Sequence, residues 1–446
     1  MIPGQSHLNH ADDPSEHAAR RAALAREIGE AGIAVVAATP ERNRNNDVDY
    51  PYRPNSDFRY LTGFPEPSAI AVLAPGRERG EYVLFCRERD PAAETWTGYR
   101  AGTEGAMTHF GADQAFPIDE FDTRIGEMLT GRERLYMTQG IHAAFEQRLL
   151  ARLNDLRARA RHVAPPEHIV SINSVVHEMR LRKSESELAL MRQAAATSAA
   201  GHCAAMRAAA PGVYEYQLAA TLHYVYGLDG MQWAYPTIVG AGANACVLHY
   251  VENAAALAEG DLVLIDSGAE YRGYAGDITR TFPANGRFTA AQREIYDIVL
   301  AANEAAIAAC RAGAKANAPH RTALDVLVDG LLELGLVAGD RESVLEDESY
   351  KTFFMHGTSH WLGMDVHDVG RYKTHGDWRD LEPGMVLTIE PGLYIPLGTE
   401  GVDERYWGIG VRIEDDVVIT HDEPEVMTAA VPKAPEALEA LMREGA

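Results

Sequence analysis

The 446-residue chain has only four cysteines, Cys86, Cys203, Cys246 and Cys310, and no two stand in a C-x-x-C pair. That scarcity disfavours a disulfide framework and a cysteine-held zinc site, and it suits a reducing cytoplasm. No apolar run approaches the roughly 20 residues that a membrane helix needs, so no membrane partner is expected. The opening stretch MIPGQSHLNHADDPSEHAARR has no apolar core of the kind a secretory signal requires. Positive charge is also short: 41 Lys and Arg face 65 Asp and Glu, a net charge of −24. Such a balance argues against nucleic acid or an anionic lipid surface as partner. Neither the G-x-S-x-G elbow of serine hydrolases nor a G-x-x-x-x-G-K-[ST] phosphate loop occurs. His356 and His360 are four apart, as in the zinc-protease motif HExxH, but Gly357 stands where that motif needs Glu. The Gly-rich GAGANA at 240–245 lacks a dinucleotide-binding context and reads as a turn.

At 48.7 kDa the chain is long enough for two domains. Residues 16–31 read as a helix, and GIAVVAAT, AIAVLAP and EYVLFCRER read as strands. Helical segments lie between 118 and 160. This is a mixed α/β pattern. HVAPPEHIVSINSVV, residues 162–176, is Pro-containing and reads as a linker. Ser184 and Glu187 then form a Ser-x-x-Glu capping box, which opens a long helix that ends at Pro211-Gly212. Strands and helices alternate beyond it, and the C-terminal part is rich in strands.

Four segments after residue 240 place ionisable side chains where strands end or turn. In GDLVLIDSGAEYRGYAGDITRT, residues 260–281, Asp266 closes one strand of an apparent hairpin and Asp277 opens the next. Two adjacent carboxylates repel and are costly to bury unless a cation pairs with them. Arg280 serves for one and a metal ion serves for both; on this segment alone both readings stand. FFMHGTSHWLGMDVHDVG, residues 353–370, carries His356, His360 and His367 in a Gly-punctuated run that reads as a loop close to a ligand. Glu390 ends the apolar strand of EPGMVLTIEPGLY and, taken alone, reads as solvent-facing. In GIGVRIEDDVVIT, Arg412 and Glu414 are two apart and share one face of a strand. Together the segments supply hard oxygen donors with one or two imidazoles. That set suits Mn, Co or Fe(II) better than a structural zinc, and its four carboxylates match a pair of bridged ions.

These four segments, in this order over about residues 170–430, resemble the proline-specific aminopeptidases of the aminopeptidase P type, within the M24 pita-bread metallopeptidases. YPYRPNSDFRYLTGFPEP, residues 50–67, is similar to the N-terminal domain of the bacterial members. The resemblance implies an N-terminal mixed α/β domain over 1–170 and a catalytic pita-bread domain over 171–446. It implies hydrolysis of the bond before a proline in second position, by a hydroxide bridging two divalent ions, most often Mn2+. Asp266 would hold one ion, Asp277 and Glu414 would bridge both, and His360 and Glu390 would hold the second. Glu390 would also move the proton to the leaving nitrogen. His249 matches a histidine near the scissile region, and His367 one that stabilises the tetrahedral intermediate. His356, Tyr394 and Arg412 match substrate-contacting or supporting positions. Similar enzymes are homo-oligomers, tetramers or dimers, in which a neighbour's tryptophan lines the pocket; Trp96 is the candidate. Two alternatives remain: a prolidase restricted to Xaa-Pro dipeptides, and a non-catalytic pita-bread binding module.

Overall fold

A computed structural model describes residues 14–444, so the expectation about the N-terminal stretch falls largely outside the described residues. The chain divides into two compact units, Met1–Arg180 and Leu181–Ala446.

The first unit is built on a six-stranded sheet. In spatial order its strands are Gln114–Pro117, Tyr82–Cys86, Ile70–Leu73, Gly32–Ala37, Arg134–Met137 and His168–Ser171. Three of the four inner strands, Gly32–Ala37, Ile70–Leu73 and Tyr82–Cys86, pair antiparallel, and the other pairings are parallel. YVLFC is buried at every position, as a continuous apolar run between two neighbours should be. Helices Phe121–Leu129 and Ala143–Arg157 cover this core through Phe121, Ile125, Leu149 and Leu153. The segment expected as a linker is not one. Pro165 and Pro166 lead into His168–Ser171, which pairs with Arg134–Met137 as the sheet's edge strand, and helix Asn173–Leu181 follows. Proline just ahead of an edge strand removes no ladder hydrogen bond, so the sequence signal of a break marks only the strand's entry.

In the second unit the expected capping box is present: Glu187 N–H donates to Ser184 Oγ and Ser184 N–H to the Glu187 carboxylate, opening helix Glu185–Ala208. Helix Glu215–Leu228 packs on it, and helices Ala290–Ala308 and Ala318–Glu333 form a second pair. Beside them lie short antiparallel sheets. One joins Ile238–Ala241, Leu262–Asp266 and Thr279–Pro283; another joins Val386–Ile389, Asp415–Val418 and Glu425–Val426. A third pairs Gly392–Ile395 with Ile409–Arg412. GVRIEDDVV is therefore two strands rather than one. The chain leaves the ladder at Ile413 and Glu414, so Arg412 and Glu414 do not share a continuous strand face. GAGANA runs from a strand end into a short 3-10 helix, Gly242–Cys246.

The hairpin forms as expected, with Asp266 opposite Thr279. Its far end continues as a small sheet of Gln232–Trp233, Ala269–Tyr271 and Tyr274–Ala275. The two aspartates approach because Gly268 lies against the facing chain: a Cβ there would meet Gly276 O at 1.7 Å and Asp277 N at 3.1 Å. Gly268→Ala is expected to lower stability by about 3 kcal/mol, the upper end for an added methyl that cannot be accommodated. Denaturant unfolding checks this; a variant as stable as the wild type would show that the hairpin can open without cost.

Candidate active site

A cavity of about 660 Å³ opens in the second unit. Its polar wall is Tyr235, Asp266, Asp277, His360, Glu390, Arg412 and Glu414, and its apolar wall includes Pro236, Ile238, Leu248, Val251 and Val366. His249, His356 and His367 complete the lining. The structure thus brings ten of the eleven expected residues into one region: nine line the cavity, and Tyr394 lies directly behind them, bonded to His356 and Arg412. Trp96 is the exception; it lies in the first unit on helix Pro91–Thr97, 87% exposed.

Each acid reaches the cavity from a strand end. Asp266 is the last residue of its strand, and Asp277 lies just ahead of Thr279–Pro283. Glu390 follows Val386–Ile389, and Glu414 stands in the break between two strands. At such ends the backbone no longer alternates sides, so apolar strands can deliver carboxylates into one space. Asp277 and Glu414 are buried, and the Glu390 side chain, read alone as solvent-facing, is only 18% exposed.

Hydrogen bonds fix these carboxylates. Tyr235 Oη lies 2.6 Å from Asp266 Oδ1 and 2.5 Å from Asp277 Oδ1, so one phenolic proton is shared between two acids. Thr279 Oγ1 donates to Glu414 Oε2 at 2.6 Å. Arg412 donates to Asp266 Oδ2 at 2.6 Å, to Thr279 Oγ1 at 3.1 Å and to Tyr394 Oη at 3.1 Å. Arg280, one of the two cations considered for a hairpin aspartate, does not serve there. Its side chain points out of the cavity and pairs with Asp415 at 2.7 Å, both fully buried. Arg280 and Thr279 are consecutive in a strand and so face opposite ways; Arg412 takes the role instead.

His360 Nδ1 donates to Trp361 O at 3.0 Å, which leaves Nε2 facing Asp277 Oδ2 at 3.5 Å and Glu390 Oε1 at 3.6 Å. Ligand atoms of Asp277, His360 and Glu414 all lie within 4.8 Å of one another. The His367 ring sits 4.2 Å from that of His360. Sequence reasoning missed Tyr235 and Asp416. Tyr235 precedes a proline and a strand, and nothing in AYPTIV marks it. Asp416 accepts the Asp277 N–H at 3.1 Å, while its Oδ1 is buried with no partner among the described residues.

The electrostatics show what the site lacks. Burial raises Asp266, although Arg412 pulls it down, and the Asp277 charge adds to the rise. Burial pushes Glu390 up to about 7, against His360 and Arg412. Burial, then Asp277 and Glu390, hold Glu414 well above the carboxylate range. Burial opposes charge on His360, yet Asp277 and Glu390 raise it to about 9. One guanidinium and one imidazolium do not neutralise this set. Hard carboxylate oxygens around one imidazole with a carbonyl behind it fit divalent cations.

The profile of metallopeptidase family M24 matches residues 189–421, and that of the aminopeptidase P N-terminal domain matches residues 17–136. The Xaa-Pro aminopeptidase of Escherichia coli K12 is 46% identical over 426 residues, 95% of this chain and 96% of that protein. A solved structure of the Pseudomonas aeruginosa aminopeptidase PepP superposes with a TM-score of 0.96 at 49% identity, covering 97% of this chain and 99% of that one. A structure of E. coli aminopeptidase P with the inhibitor Pro-Leu superposes with a TM-score of 0.94 at 45% identity, covering 97% and 99% of the two chains.

Metal ligands must be deprotonated to bind. With His360 raised to about 9 and Glu390 to about 7, the metal-free site carries protons at neutral pH. Divalent-metal uptake at pH 7 is therefore expected to release at least one proton per site, and affinity is expected to rise as pH increases from 6 to 9. Calorimetric titration in buffers of different ionisation enthalpy reads this directly; uptake with no proton release would contradict the charge distribution described.

Proposed function

The chain belongs to metallopeptidase family M24, as a Xaa-Pro aminopeptidase with the aminopeptidase P N-terminal domain and a pita-bread catalytic domain, and on that premise we propose that it works through two divalent cations, most often Mn2+. The observation that carries the reading is the convergence of four carboxylates and one imidazole in a cavity with too little positive charge to neutralise them. Asp266, Asp277, Glu414, His360 and Glu390 would hold the ions. When bound, such ions lower the pKa of water and stabilise charge that develops on a carbonyl oxygen.

The chain's own residues do the rest. Glu390 turns Oε1 toward His360 and Oε2 toward His356 at 3.9 Å. In this reading Glu390 takes the proton of the attacking water and returns it to the proline nitrogen as that nitrogen leaves. His249 and His367 line the cavity's exposed side, where an imidazole N–H meets the substrate carbonyl. Burial lowers His367, with His360 adding to the effect, so at neutral pH it donates without charge. Tyr394, His356 and Arg412 hold the polar wall in place. The apolar wall of Ile238, Leu248, Val251 and Val366 accepts the pyrrolidine ring and the side chain before it. An X–Pro bond has no N–H. Gripping the ring and the carbonyl requires no backbone donor from the substrate.

The same reading places the enzyme in a reducing cytoplasm, in keeping with four free cysteines, acting on peptides that begin Xaa-Pro. Among the described residues no helix is long and apolar enough to cross a membrane. Trp96, exposed on its own unit, lines the pocket of a neighbouring subunit in a homo-oligomer, a tetramer or a dimer.

The test uses Ala-Pro-Ala, Ala-Ala-Ala and Ala-Pro after EDTA stripping and Mn2+ readdition. Release of Ala from Ala-Pro-Ala alone is expected, restored by Mn2+. Cleavage confined to Ala-Pro would move the chain to prolidase, and no cleavage with no metal retained would make it a binding module. Asp277→Asn removes one carboxylate charge and should lower turnover by at least about a hundredfold with the melting temperature unchanged. Turnover near wild type in that variant would sink the two-cation reading.

A further inference from the structure

Glu390 and Glu414 reach the cavity from different strands, and one buried side chain ties both strands from behind. Asn303, in helix Ala290–Ala308, is fully buried. Its Nδ2 donates to Ile389 O at 3.0 Å and to Ile413 O at 3.2 Å. These carbonyls belong to the residues immediately before Glu390 and Glu414.

The location matters because the ladder between these two chains is interrupted there. Ile389 pairs with Asp415 as the last register of Val386–Ile389 against Asp415–Val418. Between that pair and the next, Gly392 with Arg412, the two chains carry Glu390 and Glu414 into the cavity, and a single backbone bond, Ile413 N–H to Pro391 O at 3.3 Å, joins them among the described residues. A primary amide carries two hydrogens at a fixed angle in one plane. With one on each carbonyl, the amide adds a side-chain rung beside that one backbone bond and ties the two chains together. The amide itself cannot rotate away: Lys433 Nζ donates to Asn303 Oδ1 at 2.7 Å and to Asp415 Oδ2 at 2.8 Å. Asp415 in turn is held by Arg280, whose guanidinium also donates to Glu414 O at 2.6 Å. An apolar side chain of similar size fills the volume and supplies neither bond.

We propose that Asn303 is a positioning residue that sets the spacing of Glu390 and Glu414 and thereby the affinity of the site for its second divalent cation. It touches neither carboxylate and no substrate, and it acts only through the backbone of the preceding residues. The proposal rests on the reading that these two glutamates hold metal.

The test is a Mn2+ titration of the metal-free full chain, by calorimetry and by the electron paramagnetic resonance signal of a coupled Mn2+ pair. Asn303→Leu removes the whole tie. Asn303→Asp keeps the volume and the acceptor for Lys433 but loses both donors, and it decides the question if the leucine variant does not fold. Val299→Ala, fully buried on the same helix with no polar group, is the control for lost stability alone. Both Asn303 variants should weaken the second Mn2+ step by about tenfold or more, with loss of the coupled-pair signal at concentrations that saturate the wild type. Val299→Ala should lower the melting temperature and bind both ions as the wild type does. Two ions bound with unchanged affinity by Asn303→Asp would overturn the positioning role and leave the two-cation reading standing, as would equal weakening in Val299→Ala. Fewer than two ions on the wild type would overturn that reading and this inference with it.

Discussion

Mutual repulsion of carboxylates buried in one cavity is the constraint on which the second unit is built. Asp266, Asp277, Glu390 and Glu414 share a space where charges interact more strongly than in water, and desolvation penalises each of them. A fold left to minimise that repulsion would let the strand ends spread. Instead every approach is tied. Tyr235 bridges Asp266 and Asp277, Thr279 holds Glu414, and Arg412 reaches Asp266. Gly268 lets the hairpin close to a distance that no side chain would permit. The repulsion therefore appears as raised proton affinity, on Glu390 and Glu414 above all. A site in that condition favours any arrangement that brings in positive charge, and it does so before substrate arrives.

The run Glu414-Asp415-Asp416 shows how finely the surroundings divide this charge. Three consecutive acids meet three environments. Glu414 faces the cavity and is held well above its usual range by burial and its acidic neighbours. Asp415 turns the other way. Burial there is outweighed by Arg280 and Lys433, which hold it well below that range. Asp416 accepts the backbone N–H of Asp277, yet burial and the Asp277 charge raise it. Only the middle residue is a settled ion. Its pairing keeps the Arg280 guanidinium occupied, so Arg280 contributes no charge to the cavity although it lies next to Thr279 in sequence.

That division also marks where the sequence stops being legible. Regular elements read well because their signals are local: the apolar run YVLFC, the capping box at Ser184 and Glu187, and the alternation in DITRTF all depend on near neighbours. The ligand-type residues read well because their chemistry is unusual at strand ends. What failed to read depended on contacts distant in the chain. Arg280 is separated from Asp415 by 135 positions, and no local rule prefers that partner to Asp277. The break at Ile413 is invisible because GVRIEDDVV has uninterrupted strand propensity; two different sheets capture its halves. Pro165 and Pro166 looked like a linker because proline marks an interruption without saying whether a strand follows. Tyr235 carries no signal at all, since an aromatic before a proline is ordinary.

The direction of the hydrogen bonds settles where the remaining positive charge of the site resides. A guanidinium only donates, so Tyr394 Oη accepts from Arg412 and must turn its own proton elsewhere. It lies 2.8 Å from His356 Nε2, which then accepts. The other nitrogen of that ring, Nδ1, donates to Gly357 O at 2.7 Å. Both nitrogens are thus committed in the neutral tautomer, and a second ring proton would have to displace the tyrosine's. Burial and the nearby Arg412 charge act the same way and push His356 down to about 4. The polar chain from Arg412 through Tyr394 therefore keeps one histidine neutral, while His360, facing two carboxylates, takes the proton in the metal-free site. Two imidazoles four residues apart in one loop acquire opposite ionisation from their partners alone. Of these two rings His360 is the one whose free nitrogen faces the carboxylates, which suits it to the ligand role proposed for it and leaves His356 as part of the wall.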